Sequence, residues 1–448
     1  MTTAGVAAAQ TRQRQWWTAT SPPGQVLRTT RELGVDTGLA LLRVGLPLLA
    51  VALVTFVAQH VLTRWAAMVA LDNGPAGLGL LFLSITLRLV LLAVSLFLAA
   101  GAVRIDGESL VDIATRLGRE SGGPGEESFG ERLKVAMVPM VILYAAWNLV
   151  NWDIHLFMYD KYAFGLDRID VNAGGPQQTD FSNISFSGGA WKAYIPWAIG
   201  CWLVKLAVDR LAERYDSRPL DVVVIFLEVS WVVFGWLVVS SVVAQAVAYV
   251  RTREVSVWLR DVGDALTVVL RPLRVTFPEL LSSVVSMVGS ALHVVLLQIV
   301  WPLFWVAVVG LLVGWATGDR DLTVGRGSGD RSVRALGGVL NSTTRGLREK
   351  YYPVLTTTWT LLRSGPLPAL TIAVLYSVLM LAFGWLRWAG FELAGPGGAS
   401  SNRFNETLFS LFDALTVPIR ACFLAAAFGV VLRLETAHRA RRGGVTAG

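Results

Sequence analysis

Long apolar runs alternate along this chain with shorter polar stretches, and most of the charges lie in the polar stretches. A helix needs about 20 apolar residues to cross a hydrocarbon core about 30 Å thick, and runs of that order recur from one end of the chain to the other. They predict eight spanning helices, at about 38–62, 78–102, 135–158, 190–208, 222–250, 283–316, 366–388 and 406–433. The expected fold class is an all-α polytopic integral membrane protein. Around the spans the chain divides into an N-terminal segment (1–37), a first four-helix half (38–215), a second (216–433) and a basic tail (434–448).

Two stretches strain this scheme. The run at 283–316 is long and contains Pro302, so it is either one span or a bent or re-entrant element. In 251–282, Val255, Trp258, Leu259, Val262, Leu266, Val269, Leu270 and Leu273 recur at helical spacing, opposite Arg251, Arg253, Arg260, Arg271 and Arg274. That pattern suits a helix lying in the membrane interface.

The third and fourth spans resemble the seventh and eighth. Phe164-Gly-Leu166, Ala173-Gly-Gly-Pro176 and Ser182-Asn183 are echoed by Phe391-Glu-Leu393, Ala394-Gly-Pro-Gly-Gly398 and Ser401-Asn402. Each loop is followed by a span with proline shortly before cysteine, Pro196 and Cys201, then Pro418 and Cys422. One reading is an internal duplication into two four-helix halves of the same orientation. The other is that glycine-rich loops and apolar helices look alike by composition alone.

Composition narrows the class. The chain is 54% hydrophobic and only 16% charged, against roughly a quarter charged in soluble domains. This excludes an ordinary globular enzyme, a disordered chain and a nucleic-acid-binding module. The net charge of +7 and pI of about 9.6 would suggest nucleic acid in a soluble protein, but here the basic residues sit mainly in loops. Twenty-five Lys and Arg residues fall in the N-terminal segment, 103–134, 205–221, 318–365 and the tail with Arg433 at its edge. The other four loops hold nine, five of them in 251–282. The positive-inside rule then puts both termini in the cytoplasm. No apolar core appears before residue 38, so no cleaved signal is expected. Arginine outnumbers lysine 34 to five, which with the abundance of Ala, Gly, Val and Leu points to a bacterial source and its cytoplasmic membrane.

The candidate chemistry lies inside the spans. An ionisable residue there costs about 2.5–3.5 kcal/mol on insertion scales and needs a partner or a cavity. Arg88 and Arg420 are near the middles of the second and eighth spans, and Asp153, Glu228, His293 and Asp413 also fall within spans. Asp413 and Arg420 are expected to share a helix face about two turns apart, too far for a direct bond along a straight helix. These residues lock helix to helix, with Asp153 hydrated at the outer edge, or they form a polar path. In the path reading the arginines hold an anionic group and Glu228 or His293 carries protons.

Gly310, Gly314 and Gly318 form a small-residue face for internal packing or for a homo-oligomer contact. Trp147, Trp152, Trp191, Trp197, Trp315, Trp385 and Trp388 lie towards span ends, where indoles anchor in the headgroup layer. The basic loop 318–365, with Arg334, Arg345, Arg348 and Lys350, suits anionic lipids or a protein partner. No catalytic, metal-binding or phosphate-binding motif appears, so no catalytic residue, metal or cofactor is expected. The expected function is a transporter or channel for a small, anionic solute. The alternative is a non-catalytic scaffold or assembly subunit of a cell-envelope complex.

Overall fold

The computed structural model describes residues 22–120, 129–146, 149–168, 191–215, 218–251, 286–287, 289–290, 295–315, 358, 366–394 and 401–445. It is all-α apart from one small hairpin. Helix α1 (Pro22–Asp72) has 51 residues and is therefore about 76 Å long. It starts well before the expected span at 38, on Pro22-Pro23, where the missing N–H groups cost nothing. The charges and glycines of 24–38 disguise a helix that packing sustains: Leu33 and Thr29 are buried.

Asn73 turns α1 into α2 (Gly74–Ala102), its side chain accepting a hydrogen bond from Ala76 N at 3.1 Å. The hairpin closes tightly because Gly77 has no side chain. A Cβ there would stand 2.4 Å from that of Ala70.

Contacts divide the chain into two compact units that interleave along it. One comprises residues 1–59, 87–140 and 298–448, the other 60–86 and 141–297.

In the first unit a two-stranded antiparallel hairpin, β1 (Arg104–Ile105) and β2 (Glu108–Ser109), turns through Asp106 and Gly107. Both turn residues have positive φ, 52° and 91°, as a type I′ turn requires. Helix α3 (Leu110–Glu120) follows and buries Leu110, Ile113 and Ala114. Helix α4 (Phe129–Ala146) begins in this unit. A π-helical turn (Val295–Val300) leads into α8 (Trp301–Leu312). Pro302 stands in the first turn of α8, directly after that π-helical turn. Helices α9 (Pro366–Ala394) and α10 (Ser401–Val445) complete the unit.

Gly314 ends α8. Its φ is +83°, Gly314 N donates to Leu311 O at 3.0 Å and Trp315 N to Gly310 O at 2.9 Å. This is a Schellman stop. Only Gly310 of the expected glycine face therefore lies on the helix, packed against Phe428, and Gly318 falls outside the described residues. Trp315, expected at an interface, is 1% exposed and meets Phe428 edge-on at 5.4 Å.

Several segments meet at one end of this unit. Arg433 pairs with Asp36 at 2.7 Å and Glu32 at 3.6 Å, and Arg43 donates to Ala102 O at 2.8 Å. Gly429 lies against Val103 and Ile105. Thr115 and Arg132 both donate to Val313 O, at 3.3 and 3.1 Å. This closes one of the carbonyls a helix end leaves open.

In the second unit α5 (Leu149–Asp167), α6 (Trp191–Tyr215) and α7 (Arg218–Arg251) accompany the α1–α2 turn. Helices α6 and α7 pack along each other. Phe234 of α7 is held by Phe82, Tyr194 and Trp197 at ring distances of 4.6, 6.2 and 6.3 Å. Arg168 grips Asp72 through two hydrogen bonds, at 2.7 and 3.3 Å. That carboxylate holds the Arg168 guanidinium above its ordinary, already high value.

Among the described residues five helices are long and apolar enough to cross a membrane: α1, α2, α7, α9 and α10. A sixth is made by α4 and α5 if that pair, bent by 69°, is one span. The expected span at 190–208 is helical as α6, but Lys192, Lys205 and Asp209 leave it less apolar than those five. The run at 283–316 appears, within the described residues, as the shorter apolar helix Gln298–Leu312. Segment 251–282 lies outside the described residues except for Arg251 at the end of α7, as does 318–365 apart from Thr358.

Large apolar side chains stand uncovered along the long helices, Leu42 and Leu46 of α1 at 85% and 83%. Such faces suit hydrocarbon rather than water.

Candidate functional site

The ionisable residues of the helices fall into three groups. The first joins α6 to α7. Lys205 Nζ lies 3.1 Å from Glu228 Oε2 and 3.5 Å from Asp209 Oδ2. The Glu228 side chain is 3% exposed and that of Lys205 11%. The sequence gives Glu228 no visible partner, because Lys205 reads as the edge of a basic loop. Antiparallel packing brings the two to one level. Asp209, four residues on, is the local sign that Lys205 belongs to a helix face.

The second group lies on the buried face of α5, where Val150, Asp153, Ile154, Phe157 and Lys161 recur every three or four residues. The Tyr144 hydroxyl donates to Asp153 Oδ2. Asp153 is therefore not hydrated at an outer edge: it is 1% exposed, because its helix turns this face inward. Lys161 is fully buried, though nothing in its polar surroundings separates it by sequence from a loop lysine. Its spacing from Phe157 and Asp153 is the one available clue.

The third group lies on α10. Arg420 Nη2 donates to Asp413 Oδ1 at 3.5 Å, so the pair expected to be out of reach does touch. Seven residues rise about 10.5 Å, but helix side chains lean towards the N-terminus, which aims the long arginine back at Asp413. The contact is at the limit of a hydrogen bond. Arg420 Nε is buried and has no hydrogen-bond partner among the described residues. The guanidinium carbon lies 5.7 Å from the centroid of the Phe383 ring on α9. Tyr376, on the same helix, is 3% exposed.

Arg88 is half-buried on α2 in the first unit, the unit that also holds Asp413 and Arg420. Asp153 and Glu228 belong to the second. His293 lies outside the described residues. The prolines and cysteines of the two resembling spans sit inside α6 and α10, with Cys201 half-buried and Cys422 buried. Residues 173–183 and 395–398, which carry part of the likeness, are not among the described residues.

No protein-family model matches the chain, and no characterised protein or solved structure matches it. Fold and composition define the class: an all-α protein whose several long apolar helices suit a multi-pass membrane location.

Proposed function

We propose that the chain is a membrane transporter or channel for a small anionic solute. The observation that carries this reading is Arg420, a guanidinium within an apolar helix whose one ion pair among the described residues is long and whose Nε faces no acceptor there. A cation at that depth costs about 2.5–3.5 kcal/mol, which a structural role with so weak a partner does not offset.

In this reading the chain has eight spans in two parallel four-helix halves, 38–215 and 216–433. Both termini lie in the cytoplasm of a bacterial cell, with the basic loops 103–134 and 318–365 resting on anionic lipid. The common side of the termini is supported by the first unit, where the start of α1, residues 102–116 and the end of α10 gather. Those segments adjoin the basic loops that orient the chain.

Proteoliposomes bathed in chloride, acetate or phosphate salts, with a potassium ionophore to balance charge, test the reading by light scattering. At least one anion should enter faster than into protein-free vesicles, and Arg420→Ala should remove the difference. Rates no faster than in protein-free vesicles for all three anions refute transport. They would leave the second reading, a non-catalytic scaffold, which the close contacts Lys205–Glu228 and Tyr144–Asp153 favour as helix-to-helix locks.

A further inference from the structure

We infer that Arg420 recognises a carboxylate, and that Asp413 occupies that position until the ligand arrives; this rests on the reading that the protein handles a small anion. The side-on edge of a guanidinium presents Nε–H and Nη2–H in parallel, spaced to meet both oxygens of one carboxylate. In Arg420 this edge is half used. Nε has no acceptor among the described residues and Nη2 has Asp413 at 3.5 Å.

Well-formed charge-assisted bonds are about 2.7–2.9 Å, so a free carboxylate meeting both donors makes two short bonds where Asp413 makes one long one. Asp413 is held back by its own backbone, two turns away on the same helix. Its side chain is 40% exposed and lies about one turn inside the start of the apolar stretch Ser410–Ala437, so on release it has the headgroup layer to turn to. The guanidinium stands over the Phe383 ring of α9, so the surface next to the fork is apolar and suits a ligand with an apolar body. The chemistry therefore selects a monovalent organic acid with an apolar or aromatic body over a halide, which needs a point charge and gains nothing from the fork.

The test is calorimetric titration of the full chain in nanodiscs with benzoate, acetate and chloride. Benzoate should bind more tightly than acetate, and acetate more tightly than chloride. Asp413→Asn removes the internal competitor and should tighten benzoate binding by roughly tenfold. Arg420→Lys keeps the charge but loses the fork and should weaken benzoate by roughly tenfold or more. Circular dichroism checks that each variant is folded.

A merely structural Asp413 predicts the opposite sign, with Asp413→Asn weaker or unchanged. That result overturns the inference, as does benzoate binding that Arg420→Lys leaves intact, or no benzoate binding by either wild type or Asp413→Asn at millimolar concentration. Benzoate binding without anion entry into vesicles refutes transport and leaves the site standing. Anion entry without benzoate binding refutes the site and leaves transport.

Discussion

Replacing Lys205 by methionine removes the ammonium 3.1 Å from Glu228 and 3.5 Å from Asp209. Two opposite charges at that shorter distance attract by about 5 kcal/mol at an effective dielectric of about 20. Desolvation of both ions opposes the attraction, so the intact pair has a small net worth. Removing one partner leaves the other's desolvation uncompensated, and breaking a buried pair costs about 3–5 kcal/mol.

The two halves of this pair are not equivalent. Glu228 is 3% exposed and Asp209 36%. Lys205→Met takes the neighbouring ammonium from the more deeply buried carboxylate, whereas Glu228→Gln leaves an ammonium that still has Asp209 one turn away. Lys205→Met should therefore cost about 3–5 kcal/mol and Glu228→Gln about 1–2 kcal/mol. The double variant should be more stable than Lys205→Met alone, with a coupling of about 1–3 kcal/mol. The assay is reversible unfolding in mixed micelles of rising dodecyl sulfate fraction, followed by far-ultraviolet circular dichroism. A cycle in which every variant stays within about 0.5 kcal/mol of wild type refutes the reasoning. So does Glu228→Gln costing more than Lys205→Met.

Three further outcomes follow from local geometry. Gly314→Ala should lower stability by about 1–3 kcal/mol, since φ is +83° and the new Cβ meets Arg132 Cζ at 2.9 Å; Gly34→Ala, in open space on α1, should raise it by about 0.4–1 kcal/mol, and thermal melts of both decide. Tyr144→Phe removes a donor from the buried Asp153 carboxylate and should cost about 1–3 kcal/mol in the same melts; an unchanged melting temperature sinks the claim that this bond matters. Gly77→Val forces a side chain onto Ala70 and Ala66 and should cost about 1–3 kcal/mol, whereas wild-type stability would mean that α1 and α2 do not approach so closely.

Part of the candidate site was legible in advance and part was not. Arg420, Asp413 and Glu228 stood out because a charge inside an apolar run is expensive wherever the helix points. Lys161 and Lys205 did not, because each lies near the end of an apolar run, close to other charges, and its burial comes from packing against other helices. The bond between Asp413 and Arg420 turned on side-chain direction rather than on the helical rise. Other elements are marked by local signals in the sequence. Asp106-Gly107 is a hairpin turn in two residues, Pro22-Pro23 is a helix start, and Gly314 is a helix stop rather than a packing surface.

The sequence by itself determined the all-helical class and the rough places of the long apolar helices. Both depend on hydrogen bonds four residues apart and on run length, which are local quantities. It also limited the candidate chemistry to a few charges within those runs. Which charge meets which, and which face of each helix turns inward, only the tertiary structure decided. A helix shows its full circumference to the sequence, and its rotation and level are set by the packing of neighbours. That is why Trp315 is buried, why Glu228 finds Lys205, and why Arg420 alone of the described intramembrane candidates shows a donor without an acceptor.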